Sequence, residues 1–534
     1  MNAEDLPPSA QPTDDSPGVP ASDPRSAGAV LIIAIFLLSL AGLVYELIGG
    51  AVSSYLLGDS VTQFSITIGV FLSAMGAGSF LSQFVRAHLL ANLITVNVAV
   101  GLIGGCSALA GFAAFAYTDA VLPVLLGFVG VVGVLVGLEI PLVVRLLRER
   151  AALHVSLANV LGADYLGALA ASLLFPFVLV PQLGLVQAAI AMGLLNVAVA
   201  AWLVSVFRAS LGRAARPLAL FAGGAGAGLV ALLFFSAPLS RFLEGRLYQD
   251  EIIHSRSSAH QRVVITRWRS DVRLFLDGHL QFSSIDEYRY HESLVHPALA
   301  LAERRERVLI LGGGDGLAAR EVLRWPDVKQ VDLVDLDPAV TQLFSEREML
   351  RELNGGALRD ARVRVVNADA FAFLDREETL YDAILLDLPD PGSTPLAKLY
   401  SDAMYVRALR RLTANGVLVT QATSPFLARP AFWCIAHTLA HAGAQSPDVR
   451  PLRIVPYHLN VPSFGEWGFI LATRRPPPPE PLRLPDGLRY LTNDVWTQMC
   501  VFPPDMAELE TPISTLSDPA VSRLYVRGYN EYLE

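Results

Sequence analysis

The sequence predicts an N-terminal all-α membrane region of several spans followed by an α/β domain, and three observations carry that reading. First, 53% of the 534 residues are hydrophobic and the mean hydropathy is +0.44, too apolar for one ordinary soluble domain and long enough for two or more. Second, the apolar excess is concentrated before residue 240 in long uncharged blocks. Third, from Arg307 onward short apolar runs alternate with helical stretches, the pattern of a mainly parallel sheet covered on both faces.

Residues 1–27 are rich in Pro, Ser and Asp, lack apolar periodicity and read as a disordered tail. No basic stretch leads into a short apolar core and a small-residue cleavage site, so a signal peptide is not expected. Residues 28–239 hold about seven apolar segments, centred near Phe36, Phe71, Val98, Val132, Leu169, Gly193 and Gly226, each able to reach the roughly twenty residues that a bilayer-crossing helix needs. Small residues such as Ala74-Met-Gly-Ala-Gly-Ser79 suit close helix packing in lipid. Glu46, Glu139 and Asp164 are ionisable exceptions, functional candidates by their cost in lipid, with helix-end or interhelical hydrogen bonding as the commoner explanation. Arg86, then Arg145, Arg148 and Arg150, then Arg208, Arg213 and Arg216 follow the second, fourth and sixth segments, which makes those connections and the N-terminus cytoplasmic. Seven full crossings would then put the C-terminal domain outside. Either one segment is re-entrant or two are miscounted, the Gly-rich stretch Gly223 to Gly228 being the first suspect.

Residues 244–300 open the second half with Val263-Val-Ile-Thr266 and Val272-Arg-Leu-Phe-Leu276, strand-like runs joined by a polar turn, expected as a small β-hairpin domain. Residues 301–475 are expected to form a Rossmann-like sheet with strands at 307–312, 330–335, 362–366, 382–387, 416–421, 452–458 and 467–472. The final segment, 476–534, begins with the linker Pro476 to Pro479 and is expected to pack back on the domain without adding chemistry.

Ligands of such sheets bind beyond the C-terminal strand ends, where Gly312 to Asp315, Asp335, Asp369, Asp387 and Gln421 all fall. The run Val308-Leu-Ile-Leu-Gly-Gly-Gly-Asp-Gly316 is the most specific of these. Its glycines let the backbone approach a ligand and turn into a helix near Leu317, and Asp335 follows at about the spacing at which a carboxylate binds ribose hydroxyls. A phosphate loop would offer N–H groups and avoid an acid, so Asp315 points to a cationic nucleoside such as a sulfonium. An ordinary strand-turn-helix with a solvated Asp is the alternative.

Further motifs join it: Leu276-Asp-Gly-His-Leu-Gln281, Ser284-Ile-Asp-Glu-Tyr-Arg-Tyr-His-Glu-Ser-Leu-Val-His-Pro297, Tyr381-Asp-Ala-Ile-Leu-Leu-Asp-Leu-Pro-Asp-Pro391 and Leu399-Tyr400. In that order, over roughly residues 250–475, they resemble the spermidine synthases, the polyamine aminopropyltransferases, whose fold is class I methyltransferase-like. The N-terminal spans, with Asp387-Leu-Pro-Asp-Pro391 and Val461-Pro-Ser-Phe-Gly-Glu-Trp-Gly468, are similar to the membrane-bound branch of that family. The resemblance implies transfer of an aminopropyl group from decarboxylated S-adenosylmethionine, a co-substrate with no tightly bound cofactor beside it, to putrescine or another polyamine. It assigns Asp387 as proton acceptor and Tyr290 as the group orienting the amine, with Asp390 on the distal ammonium. On the donor side it assigns Gly312 and Gly314 to the close-approach loop, Gln261 and Asp335 to the ribose, Asp369 to the adenine amino group and Asp315 to the aminopropyl ammonium. His291 and Gln421 fall at the substrate rim. Since the donor is a cytoplasmic metabolite, the resemblance places the catalytic domain in the cytoplasm of a multi-pass cell-membrane protein.

Two departures stand out: Leu388 and Pro389 occupy positions where soluble members commonly carry small hydroxyl residues, and Asp335 stands where glutamate is usual. Cys106, Cys434 and Cys500 lack metal-ligand spacing, so no metal site or disulfide framework is expected. A net charge of −9 disfavours nucleic acid and suits polycationic substrates. The expected partners are thus a polyamine and the lipid bilayer, with assembly into a homo-oligomer open. Two other functions fit parts of the sequence: a membrane-anchored methyltransferase using intact S-adenosylmethionine, whose carboxylate Asp315 and Asp387 would repel, and a polyamine transporter or sensor, which leaves Asp387 and Tyr290 without a role.

Overall fold

The computed structural model describes residues 24–57, 60–118, 120–148, 153–248, 250–258, 260–445, 450–475 and 481–533. The expected tail through residue 23 and the linker Pro476 to Pro479 lie outside these; residues 24–27, assigned to the tail by composition, are already helical. The chain forms two compact units, one within the first 237 residues and one built mainly of Pro238–Glu534.

The N-terminal half, which supplies the first unit, is helical: α1 (Pro24–Leu57), α2 (Ser60–Leu81), α3 (Leu89–Tyr117), α4 (Val121–Arg148), α5 (Leu153–Leu174), α6 (Val180–Val206), the short α7 (Arg208–Leu211) and α8 (Ala215–Tyr248). Among the described residues six stretches are long and apolar enough to cross a membrane. One of them, Leu157–Val206, is 50 residues long and holds two of the seven expected centres, Leu169 and Gly193. At a rise of about 1.5 Å per residue it would far exceed the ~30 Å apolar core of a bilayer, and it bends at a π-turn over Phe175–Leu179 and at Gly184, whose φ of 72° breaks the helix. The stretch Gly223 to Gly228, the first suspect in the count of crossings, lies inside continuous α8. Close helix contact explains other glycines: a Cβ on Gly78 would lie 2.0 Å from the Val134 carbonyl oxygen. Arg145 closes the α2 end by donating to the Val85 and Ser82 carbonyls at 2.8 and 2.7 Å. Glu139 is buried, and its Oε1 has no hydrogen-bond partner among the described residues.

The second unit begins with a four-stranded antiparallel sheet, β1 (Glu251–Ser257), β2 (Arg262–Trp268), β3 (Asp271–Leu276) and β4 (His279–Ser283), in that order. The expected hairpin is its middle pair; the outer strands escaped because Glu251–Ser257 is polar and His279–Ser283 is only five residues. After α9 (Glu287–Leu301) come β5 (Arg307–Gly312), α10 (Leu317–Val322), β6 (Gln330–Asp335), α11 (Pro338–Glu346), α12 (Glu348–Leu353), β7 (Val363–Asn367), α13 (Ala370–Arg376) and β8 (Tyr381–Asp387). Then follow α14 (Thr394–Ala397), α15 (Asp402–Arg410), β9 (Leu412–Gln421), α16 (Arg429–Ala444), β10 (Arg453–Val461), β11 (Gly465–Thr473), α17 (Asn493–Met499) and α18 (Ala520–Leu533).

The seven-stranded sheet has the order β10-β11-β9-β8-β5-β6-β7, with β5 to β9 parallel and β10–β11 an antiparallel hairpin on β9. This is the α/β, mainly parallel sheet that the sequence predicts. β5 alternates its side chains between two cores, Val308 and Ile310 on one face and Leu309 and Leu311 on the other, which is why it reads as an unbroken apolar run. The chain goes from β5 outward through β6 and β7, then returns to the other side of β5 with β8. The topological switch point therefore lies between β5 and β8, where a crevice opens beyond the strand ends.

Candidate active site

The loop after β5 and the loop after β8 meet at that switch point because Gly312 pairs directly with Asp387 in the parallel ladder. Gly312 has φ 85°, and a Cβ there would lie 1.9 Å from the Asp387 carbonyl oxygen, so no other residue fits. Gly314 brings its backbone onto Asp335: its N–H donates to Oδ2 at 3.0 Å, and a Cβ would lie 2.6 Å from the carboxyl carbon. Asp335 Oδ1 accepts from the Asp337 N–H at 2.9 Å, and burial lifts this carboxyl to about 6. Asp315 turns back to accept from the Leu317 N–H at 2.9 Å at the start of α10. Burial likewise raises it to about 6, opposed by the nearby His291.

Asp387, at the C-terminal end of β8, accepts a 2.7 Å hydrogen bond from the Tyr290 hydroxyl of α9. Burial raises its proton affinity, while His291 and the Tyr290 hydrogen bond lower it. Tyr290 stays protonated, pushed up by burial and by Asp387. His291 is the counter-charge of the site. Its Nδ1 sits 2.9 Å from Glu287 Oε2 and 2.8 Å from the Glu287 carbonyl, and Glu287 in turn accepts from Arg320 at 2.9 and 3.0 Å. Burial alone would discharge the imidazole, but Glu287, then Asp315 and Asp387, hold it protonated with a pKa raised to about 9.

Asp390 lies beyond Asp387 and is also lifted to about 6 by burial. Its Oδ1 accepts from Gln421 Nε2 at 3.2 Å and its Oδ2 from the Tyr525 hydroxyl at 3.0 Å. Gln421 ends β9, donates to the Leu388 carbonyl at 2.8 Å, contacts the Tyr400 hydroxyl and accepts from the Thr423 N–H at 2.9 Å. Tyr400 donates to the Pro389 carbonyl at 2.9 Å. The carbonyls of the unusual Leu388-Pro389 pair are thus fixed by Gln421 and Tyr400.

Of the residues singled out by sequence, Gly312, Gly314, Asp315, Asp335, Asp387, Asp390, Tyr290, His291 and Gln421 gather around the ends of β5, β6, β8 and β9. Gln261 stands just before β2, and its backbone is bound by Ser258, whose hydroxyl donates to Asp337 Oδ2 at 2.7 Å; this links it to the Asp335 turn. Asp369 is committed elsewhere in part: Oδ1 caps α13 through the Ala372 N–H at 3.0 Å and Oδ2 pairs with Lys398 at 2.6 Å, which lowers its pKa against the effect of burial. Sequence reasoning missed Glu287, Arg320 and Tyr525. The expectation that the last segment adds nothing to the site is corrected by α18, which reaches Asp390 from 135 residues away in sequence. No local motif announces such a contact.

Residues 287–476 match the family model of the spermine/spermidine synthase domain. Over 514 residues the chain is 47% identical to polyamine aminopropyltransferase 2 of Ralstonia nicotianae, covering 95% of this chain and 99% of the relative. The polyamine aminopropyltransferase of Leptospira interrogans is 42% identical over 506 residues, covering 94% and 99%. A solved spermidine synthase in complex with the transition-state analogue AdoDATO aligns at TM-score 0.43 and 24% identity, over 47% of this chain and 86% of that one.

Proposed function

The chain belongs to the polyamine aminopropyltransferase family, and from that premise we propose how its acid-lined crevice performs the transfer. The enzyme moves the aminopropyl group of decarboxylated S-adenosylmethionine to putrescine or a related polyamine and releases methylthioadenosine.

The observation that carries the assignment of roles is the 2.7 Å Tyr290–Asp387 hydrogen bond in a buried pocket with a second carboxylate, Asp390, three residues on. An acceptor ammonium resembles that of lysine, with an ordinary pKa of about 10.4, and must lose a proton before its lone pair can attack carbon. Asp387 takes that proton and Tyr290 orients the nitrogen. The lone pair then forms the new C–N bond at the methylene next to the sulfonium as the C–S bond breaks, and the electron pair leaves on sulfur as a neutral thioether. Asp390 holds the distal ammonium. On the donor side Asp315 receives the aminopropyl ammonium, Asp335 and Gln261 the ribose, and Asp369 the adenine amino group, while Gly312 and Gly314 give the ligand room. Protonated His291, fixed by Glu287 and Arg320, opposes the effect of burial on Asp315 and Asp387. Holding two cationic substrates side by side is the main demand of the reaction, and the carboxylates offset their mutual repulsion.

The helical unit is read as embedded in a lipid bilayer, with the catalytic unit in the cytoplasm where the donor is made. Outward-facing apolar side chains support the bilayer, Phe80, Phe177, Leu220 and Phe234 being 65%, 73%, 78% and 79% exposed.

The acceptor assignment is tested by comparing putrescine with butylamine. A carboxylate left buried opposite a methyl group carries a desolvation penalty of several kcal/mol, so the diamine should react far faster. Asp390→Asn should raise the diamine KM and shrink its advantage. Equal rates for the two amines with the unmodified enzyme would refute the two-acid pocket.

A further inference from the structure

The C-terminal helix α18 closes one end of the acceptor pocket. It packs on α16 and on the α14 turn, and the fit is tight. Gly528 is buried, and a Cβ there would come within 2.8 Å of the Leu427 carbonyl oxygen and 2.9 Å of Ala428 Cα. Phe426 and Tyr532 pack edge to face at 5.8 Å. So anchored, α18 lays the Tyr525 ring against Gly392, 3.3 Å from where a Cβ would stand, and donates its hydroxyl to Asp390 Oδ2 at 3.0 Å. Tyr529 backs it, with ring centroids 4.6 Å apart, and faces Asp390 and Thr423. Asp390 is therefore bounded by Gln421 at one oxygen and by an aromatic pair at the other.

Building on the role of Asp390 at the distal ammonium, we propose that Tyr525 is a specificity-determining residue, the end wall that restricts acceptors to amines whose far nitrogen terminates at Asp390. A terminal primary ammonium is compact and satisfied by the carboxylate. An acceptor extended by a further aminopropyl arm, such as spermidine, would drive that arm into Tyr525 and Tyr529. The hydroxyl acts separately from the ring, fixing the orientation of the carboxylate that the ammonium meets.

The test uses the full-length enzyme in detergent and compares kcat/KM for putrescine and spermidine, together with the donor KM. Tyr525→Ala and Tyr525→Leu remove the ring, the second keeping an apolar contact for helix packing. Both should raise the spermidine-to-putrescine ratio by about tenfold or more, with the donor KM within about twofold. Tyr525→Phe keeps the wall and should leave the ratio unchanged while raising the putrescine KM. A parallel fall for both amines in the truncated variants, with the ratio constant, would mean that Tyr525 only supports the fold and would overturn the proposal. Asp390→Asn separates the premise from the inference. If it leaves the putrescine KM unaltered, the distal site lies elsewhere and the end wall falls with it; if it raises that KM while truncation of Tyr525 leaves the ratio fixed, the end wall alone is wrong.

Discussion

Replacing Asp387 with Asn deletes the proposed proton acceptor while keeping the side-chain volume, and the ordinary pKa of an amine sets the size of the loss. Asp387 is the carboxylate bonded to Tyr290, and its backbone carbonyl accepts from the Gly313 N–H at 3.1 Å, a contact that the substitution keeps. The donor loop should therefore hold its shape and donor binding should stay nearly intact. With the base gone, only amine molecules that arrive already neutral can react. At pH 7 these are on the order of one in a few thousand for a pKa of about 10.4. A fall in turnover of about 10² to 10⁴ follows, roughly 3–5 kcal/mol of barrier. The variant should also regain about tenfold in rate per pH unit between pH 7 and 9, as bulk solvent deprotonates the amine. The wild-type enzyme should show a much flatter profile, because a base held beside the amine removes the dependence on the small neutral fraction in solution. The assay is methylthioadenosine release under saturating donor across that range. Near-normal turnover of the Asn variant from pH 7 to 9 would refute the assignment of the base.

Three further outcomes follow from the same geometry. His291 is raised from 6.5 to about 9 by Glu287 and its acid neighbours, so its contribution to stability is complete below about pH 6.5 and is lost as pH rises toward 9. The melting temperature should decline over that window, and His291→Gln should flatten the decline; an unchanged slope in the variant would dismiss the charged pair as its source. Residues 244–534 should fold and bind donor without the helical unit, since both apolar cores of the α/β unit are built entirely from residues beyond 250. An insoluble or inactive fragment, with the full chain active in detergent, would give the helices more than an anchoring role. For orientation, a cysteine at the exposed Glu378, in a background with Cys106, Cys434 and Cys500 replaced, should resist a membrane-impermeant thiol reagent in intact cells. Labelling equal to that in lysed cells would put the catalytic unit outside.

The legible parts of the fold were those whose signal is local. β5, β6 and β8 are apolar on both faces, and the strand boundaries drawn from such runs fall within a residue or two of the structure. The glycines and acids after them follow directly, because a strand end at the switch point fixes where they stand. What escaped has long-range causes. β1 and β4 are short or polar and become strands only by pairing with β2 and β3. Glu287 and Arg320 are ordinary surface types in sequence, and only α9 lying beside α10 joins them across 33 residues to charge His291. Tyr525 is one tyrosine among fifteen, and its meeting with Asp390 depends on the docking of α18. Composition made Gly223 to Gly228 the first suspect in the count of crossings, whereas that stretch is continuous helix and the chain bends at Gly184, since glycine in an apolar helix serves close packing as readily as it breaks the backbone.

The central claim is that buried acids select a donor and an acceptor that are both purely cationic. It is tested most directly by giving the purified enzyme decarboxylated or intact S-adenosylmethionine with a panel of amines and identifying products by mass spectrometry. The decarboxylated donor should yield an aminopropylated diamine and methylthioadenosine, and the intact donor, whose carboxylate would face Asp315 and Asp387, should yield neither. A methylated amine and S-adenosylhomocysteine from the intact donor would contradict the account.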